Sequence, residues 1–337
     1  MPMVSMKDIA RRCNVSVATV SKALSGQSDV GPDTKARIAQ AAEELGYLKN
    51  SAASTLKTRK SYNLGILFVD EKSSGLTHEY FSAILESFKI EAEQHGYDIT
   101  FINRSAGNRS FTYLQHARYR GFEGVVIACV DFNDPQVIEL VNSDIPVVTI
   151  DHIFNNRIAV VSDNLKGTGE LLRYAYAQGH RRIGIICGES TSVTENRMIS
   201  FYQACRELGL ELPEEYVLKG AYHDTELCRR LTKQLLSLPE PPTCIFFPDD
   251  FSYIGGYNAI WEAGLTIPGD ISAIGYDGIP LSRIISPKLT TWCQDAPGIG
   301  RTAARSLISL IEDPKATPLD RIVVHGHFQE GGSVRKI

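Results

Sequence analysis

Apolar and polar positions along the chain change their period once. Through residue 48 the apolar residues recur at helical spacing; from residue 63 onward, short continuous apolar runs alternate with amphipathic stretches. In the first part, Ile9, Ala10 and Cys13 share one face of a short helix. Asn14 follows, one of the few non-glycine residues suited to the left-handed conformation of a tight turn. Val15 is expected to bury its side chain at the corner, and Ser16 stands where an N-cap belongs. A second helix, wound at about 100° per residue, gathers Val20, Ala23 and Leu24 on one side. Val17, Ala18, Ser21, Lys22 and Ser25 fall on the other. Pro32 opens a third helix after Gly31, a position where a missing N–H is harmless. Ile38, Ala41, Ala42 and Leu45 form its stripe, and Gly46 ends it.

The second part reads as repeated β then α. "LGILFV" (64–69) is continuously apolar, as expected of a strand covered on both faces. "YFSAILESFKIEAEQHG" is an amphipathic helix, and "DITFIN", "GVVIACV" and "IPVVTID" are further strands. The cycle restarts at "RIGIICG" and runs through "RMISFYQACRELG", "YVLKG", "TCIFF", "YIGGYNAIWEAG" and "ISAIGYDG". Alternation of this kind implies parallel sheets with right-handed crossovers. Two cycles imply two lobes of about 100 to 130 residues each.

Charge sharpens the division. The chain carries −4 overall, yet residues 1–60 hold ten basic and five acidic side chains, a balance of +5 that leaves −9 for the remainder. A basic head on an acidic body suits a polyanion as partner of the head. The outward face of the second helix is small, with one cation, so it can enter a DNA major groove and put its N-terminal residues against base edges. Ser16, Thr19 and Ser21 are placed to donate to phosphates.

"MKDIARRCNVSVATVSKALSG…VGPDTKARIAQAAEELGYLKNSAASTLKTRK" closely resembles the N-terminus of the lactose-repressor family of bacterial transcription regulators. The resemblance implies an all-α helix-turn-helix domain (1–48) and a hinge helix or linker (49–61) that orders on DNA. It also implies an α/β, periplasmic-binding-protein-like core of two doubly wound parallel-sheet lobes. The expected first lobe is 62–161 with 293–320, and the second 162–292 with 321–337. DNA contacts carried over by the resemblance fall on Ser5, Met6, Ser16, Val17, Ala18, Thr19, Ser21, Lys22, Thr34, Tyr47, Asn50, Ala53 and Leu56. Leu56 is expected to wedge into a minor-groove base step. Lys49 replaces the proline usual before this asparagine. The implied partners are a near-palindromic operator duplex, a second copy of the chain, and a small-molecule effector, either a sugar or sugar derivative or a purine or nucleoside.

Ligands of such a fold sit at the carboxyl ends of strands, between lobes. Asp70, Asp151, Asp249, Asp250 and Asp277 each follow an apolar strand, where a carboxylate can accept paired hydrogen bonds from hydroxyls. Helix capping competes with that role for Asp70 and Asp151, and Asp250 is expected to be structural. The resemblance makes Arg197 and Asp277 sugar-binding positions, Tyr222 a stacking aromatic, Gln294 a polar wall, and Phe81 a further contact. It sets Asp249 and His78 where the family commonly has asparagine. "GDISAIGYDGIPLSRIISPKLTTW" matches the family's signature in this region.

Enzyme motifs are absent: no G-x-S-x-G, no P-loop, no G-x-G-x-x-G after a strand. "GTGELL" reads as a helix start. His325 and His327 alternate in "VVHGHF" but lack further ligands for a metal. No catalytic residue, metal or cofactor is expected. Neither an apolar leader nor an 18-residue apolar run is present, so a membrane is not an expected partner. The seven scattered cysteines form no CxxC pair and fit a reducing cytoplasm. The competing reading is a lobed sugar receptor or sugar-processing enzyme without a regulatory role. The missing export signal and the missing catalytic constellation weigh against it.

Overall fold

The computed structural model describes residues 4–48, 60–69 and 75–337. The chain divides into two compact units, Met1–Ser61 and Tyr62–Ile337. In the first, α1 (Met6–Cys13), α2 (Val17–Leu24) and α3 (Pro32–Glu44) form the three expected helices. Asn14 takes the left-handed conformation, φ 52° and ψ 49°, and turns the chain between α1 and α2. The Ser16 hydroxyl accepts from the Thr19 N–H at 3.0 Å and so caps α2. Ile9, Ala10, Cys13, Val20, Ile38, Ala41 and Ala42 make the core, with Val15, Ala23, Leu24 and Leu45 packed around it.

The second unit contains two six-stranded sheets. The first holds β1 (Asn63–Phe68), β2 (Asp98–Phe101), β5 (Gly124–Ala128), β6 (Val147–Ile150), β7 (Ile158–Ser162) and β13 (Arg321–Val324), in the order β13-β7-β6-β5-β1-β2. All its pairings are parallel. Every residue of β5 is buried, which is why that segment reads as unbroken apolar sequence. A short hairpin, β3 (Ser105–Ala106) with β4 (Arg109–Ser110), stands outside both sheets. One face of the first sheet is covered by α4 (Glu79–Gln94) and by a helix from late in the chain, α12 (Ala296–Glu312). These two approach closely: a Cβ at Gly300 would lie 2.1 Å from the Ile84 carbonyl oxygen. The other face carries α5 (Tyr113–Arg120) and α6 (Pro135–Val141).

The second sheet holds β8 (Ile183–Cys187), β9 (Val217–Lys219), β10 (Cys244–Phe246), β11 (Ser272–Asp277), β12 (Thr290–Cys293) and β14 (His327–Gln329), ordered β14-β12-β11-β10-β8-β9. Its helices are α7 (Asn164–Ala177), α8 (Ser192–Leu208), α9 (Thr225–Leu236), α10 (Tyr253–Glu262) and the short α11 (Leu281–Ile284). "GTGELL" lies inside α7, which begins three residues earlier at Asn164, capped by Asp163.

Two expectations need correction. The segment 321–337 does not belong wholly to the second lobe. Arg321–Val324 pairs in parallel with β7, Arg321 beside Ala159, and forms the edge of the first sheet. Edge groups of β7 need ladder partners, and the returning chain supplies them before it crosses over. The second sheet is also not purely parallel: β14 runs antiparallel to β12. Only His325 and Gly326 separate β13 of the first sheet from β14 of the second, so the chain passes directly from one lobe to the other.

Candidate functional site

On the head, Ser16, Val17, Ala18, Lys22 and Ser25 are exposed, while Val20 is buried. Ser21 and Thr19 are half-buried rather than fully outward. The Ser21 carbonyl accepts from the Ser25 hydroxyl at 2.7 Å, and Thr19 Oγ1 lies 2.8 Å from Ser16 Oγ. The Ser16 oxygen thus caps its own helix, and Lys22 forms an ion pair with Asp29 of the following loop. Ser5 is exposed and its hydroxyl donates to Asp8 at 2.6 Å. Met6 and Tyr47 pack against the helical core, and Thr34 is half-buried at the start of α3. Asn50, Ala53, Leu56 and Asp70 lie outside the described residues, as does Lys49.

Between the lobes lies a cavity of about 560 Å³. His78, Phe81, Asp151, Arg197, Tyr222, Asp249, Asp277 and Gln294 all line it, so the structure brings together every described core residue singled out for effector binding. The contributing elements meet there because strand ends of both sheets face each other. Four non-glycine residues at these ends have positive φ: Cys129 (53°), Asp151 (59°), His223 (57°) and Asp277 (107°). All four line the cavity. Such backbone is costly for residues with a Cβ, and its concentration here marks a functional wall.

One polar network spans the cavity floor. Arg197, on α8, donates from Nε to Asn164 Oδ1 at 2.9 Å and from Nη1 to the Pro248 carbonyl at 2.9 Å. Its Nη2 stands 3.7 Å from Asp277 Oδ1. The guanidinium lies 3.6 Å from the Tyr276 ring centroid and 5.3 Å from that of Tyr222. Gln294 Nε2 donates to Asp277 Oδ1 at 2.6 Å. The Tyr80 hydroxyl donates to Asp151 Oδ2 at 3.0 Å and approaches Gln294 Oε1 at 3.4 Å. The Ser162 N–H donates to Asp151 Oδ1 at 3.2 Å. Burial pushes the Asp277 carboxyl up to about 7 against the pull of Arg197, and burial also raises Asp151. The Asp277 carboxyl thus stands where a small change of surroundings alters its charge.

Asp249 lines the cavity but its carboxylate is already engaged. It accepts from Ser252 N at 2.6 Å, Ser252 Oγ at 2.7 Å and His223 N at 2.9 Å, a framework for the start of α10. Asp250 is fully buried beneath, accepting from Ile279 N at 3.0 Å and Thr291 Oγ1 at 2.7 Å, as expected of a structural group. Asp151 caps no helix; its carboxylate serves the cavity floor and the Ser162 N–H. The Tyr222 ring packs close to the end of β8, where a Cβ at Gly188 would meet it at 2.3 Å.

Sequence reasoning missed Tyr80, Phe132, His152, Glu189, Ser192 and His223. His223 stacks on His78 from the opposite lobe, ring centroids 4.2 Å apart, and on Phe251 at 3.9 Å. His152 stacks on Phe132 at 4.2 Å. Ser192 Oγ donates to the Asp151 carbonyl at 3.1 Å, a second tie between lobes. Position in the sequence alone marks none of these, except that each follows a strand or opens a helix. His325, in contrast, is exposed at the crossover and pairs with Asp163 at 2.7 Å. Among the described residues no group of three His, Cys, Asp or Glu side chains is placed to hold a metal. Nor is any described helix long and apolar enough to cross a membrane.

A basic three-helix head and a two-lobed core with a polar inter-lobe cleft together define a class: ligand-sensing DNA regulators. Comparison with known proteins agrees. The family description "Bacterial regulatory proteins, lacI family" matches residues 5–50, and "Periplasmic binding protein-like domain" matches 172–334. The chain is 30% identical to "Probable HTH-type transcriptional repressor ExuR" of Bacillus subtilis (strain 168), over 99% of each chain. It is also 30% identical to the HTH-type transcriptional repressor PurR of Shigella sonnei (strain Ss046), over 98% of this chain and 97% of that one. The fold matches the Lac repressor dimer bound to operator and the anti-inducer ONPF with a TM-score of 0.84, at 23% identity, over 99% of this chain and 100% of that one. It matches the transcriptional regulator CelR–cellobiose complex with a TM-score of 0.70, at 21% identity, over 98% and 99%. The chain belongs to the lacI family of bacterial regulatory proteins.

Proposed function

We propose that this chain is a transcriptional repressor that binds a near-palindromic operator as a homodimer and releases or grips it in response to a small molecule. The observation that carries this reading is the presence, in one chain, of an exposed small-residue face on α2 and a 560 Å³ polar cleft between two lobes. In this reading Val17, Ala18 and Lys22 meet base edges, and Ser5, Ser16, Thr19, Ser21 and Thr34 meet the backbone. Met6 and Tyr47 fix the ends of the helical core against DNA. Residues 49–61 act as the hinge, with Asn50, Ala53 and Leu56 in the minor groove. Asp70, His78, Phe81, Asp151, Arg197, Tyr222, Asp277 and Gln294 bind the effector, and Asp249 shapes the wall. The effector is a sugar or sugar derivative, or a purine or nucleoside. A named repressor relative, a dimer on operator and a regulator holding cellobiose support these roles. The chain carries out no catalysis and works in the cytoplasm, beside the chromosome.

The test uses the full chain and its own promoter fragment. Electrophoretic retardation is expected at low salt, falling steeply as salt rises because phosphate contacts release counterions. Failure to retard any duplex at low ionic strength would falsify the regulatory reading.

A further inference from the structure

The cleft is acidic, and this narrows what it binds, given the effector-sensing role proposed above. Six carboxyl side chains line it: Asp131, Asp151, Glu189, Glu195, Asp249 and Asp277. Among the described lining residues Arg197 is the only Lys or Arg. Its charge already faces Asp277 at 3.7 Å, and Asn164 and the Pro248 carbonyl take two of its donors. Burial lowers His152 from its ordinary value, disfavouring the charged form of its imidazole. The N-terminus of α8 opens onto the same cavity and would favour an anion. Its own chain fills that role: Thr191 caps Thr194 N at 3.3 Å, and Glu195 stands in the first turn.

We infer that the cleft accepts an effector without negative charge that is rich in hydroxyl donors, a neutral sugar or polyol, and rejects its carboxylated or phosphorylated counterpart. Carboxylates accept from hydroxyls and offer nothing to another anion. An anionic ligand would have to displace Asp277 from Arg197 within the network that holds Asp151, with Asp131, Glu189 and Glu195 exposed around it. Rejection by like charge is a specificity device distinct from any attractive contact.

Matched sets test this with the full chain: D-galactose, D-galacturonate and D-galactose 6-phosphate; the corresponding D-glucose set; and adenosine with its 5′-monophosphate. Thermal unfolding and calorimetry at fixed ionic strength read binding. A neutral sugar is expected to bind, with each anionic counterpart at least about tenfold weaker. Asp131→Asn with Glu195→Gln, both exposed at the rim, should raise the anion's affinity relative to that of its neutral counterpart. Inorganic phosphate, compared with chloride at equal ionic strength, should leave the unfolding midpoint unmoved. The inference is overturned by an anionic sugar that binds as tightly as its neutral partner. It is equally overturned by the adenosine pair binding in place of every sugar, by an affinity ratio indifferent to the rim variant, or by protection from phosphate. Operator retardation is read separately, so loss of DNA binding would strike the regulatory reading and leave this one standing or falling on its own.

Discussion

Two ion pairs, one in the head and one in the core, show how the same chemistry serves opposite ends. Lys22 and Asp29 are about half exposed, at 48% and 50%, whereas Arg197 and Asp277 are each 11% exposed. An exposed pair contributes little, because water screens it and two flexible side chains must be held. A buried pair has been desolvated, and loss of either partner strands the other charge. The head therefore keeps a cation that a nucleic acid can recruit at small expense. The core keeps a guanidinium that cannot leave. Recognition at the first site works by exchange of partners, and at the second by fixed geometry.

That contrast can be broken at four points. Arg197→Ala should have the largest effect, destabilising the two-lobed core by about 3–5 kcal/mol in denaturant unfolding above pH 7, where Asp277 is ionised and would be left buried without its cation. An effect no larger than that of a surface substitution would end the claim that the pair is structural. Lys22→Ala should leave unfolding unchanged and reduce discrimination between operator and random duplex by about ten- to a hundredfold in competition binding. Equal loss on both duplexes would reassign Lys22 to phosphate.

The third point is pH. Burial raises Asp277 from the ordinary 3.8 to about 7. The folded chain then holds a proton there that the unfolded chain has released, so this group's contribution is full below about pH 4 and is lost as pH rises toward 7. Its slope is at most about 1.4 kcal/mol per pH unit. Asp277→Asn should flatten the stability profile over that window relative to the parent, and parallel profiles would show the carboxyl to be ionised throughout. The smallest effect belongs to Asp29→Asn. Freeing Lys22 from its partner should tighten binding to random duplex by about two- to fivefold, with little change in unfolding. Unchanged or weaker binding would mean that Asp29 orients Lys22 rather than competing for it.

The order of elements was readable because each answers to local rules. Asn14, Ser16, Pro32 and Gly46 mark the turns and caps of the head, and all take the expected positions. β5 and β6 are buried at every residue, so their apolar runs stand out. The candidate cleft was legible through strand-end aspartates, which is how Asp151 and Asp277 were found. Tyr80, His152 and His223 were not legible. Tyr80 reaches Asp151, 71 positions along the chain, and His223 meets its partner His78 from the other lobe.

Sequence by itself determined the helical head, the β–α alternation, the uneven charge and the family likeness, because all four depend on neighbours along the chain. Only the tertiary structure decided that Asp249 is engaged by Ser252 and His223, that Arg321–Val324 returns to the first sheet, and that Arg197 faces a carboxyl instead of open solvent. Those outcomes depend on which polar groups lose water together, and residues far apart in sequence settle that only when the lobes close around them.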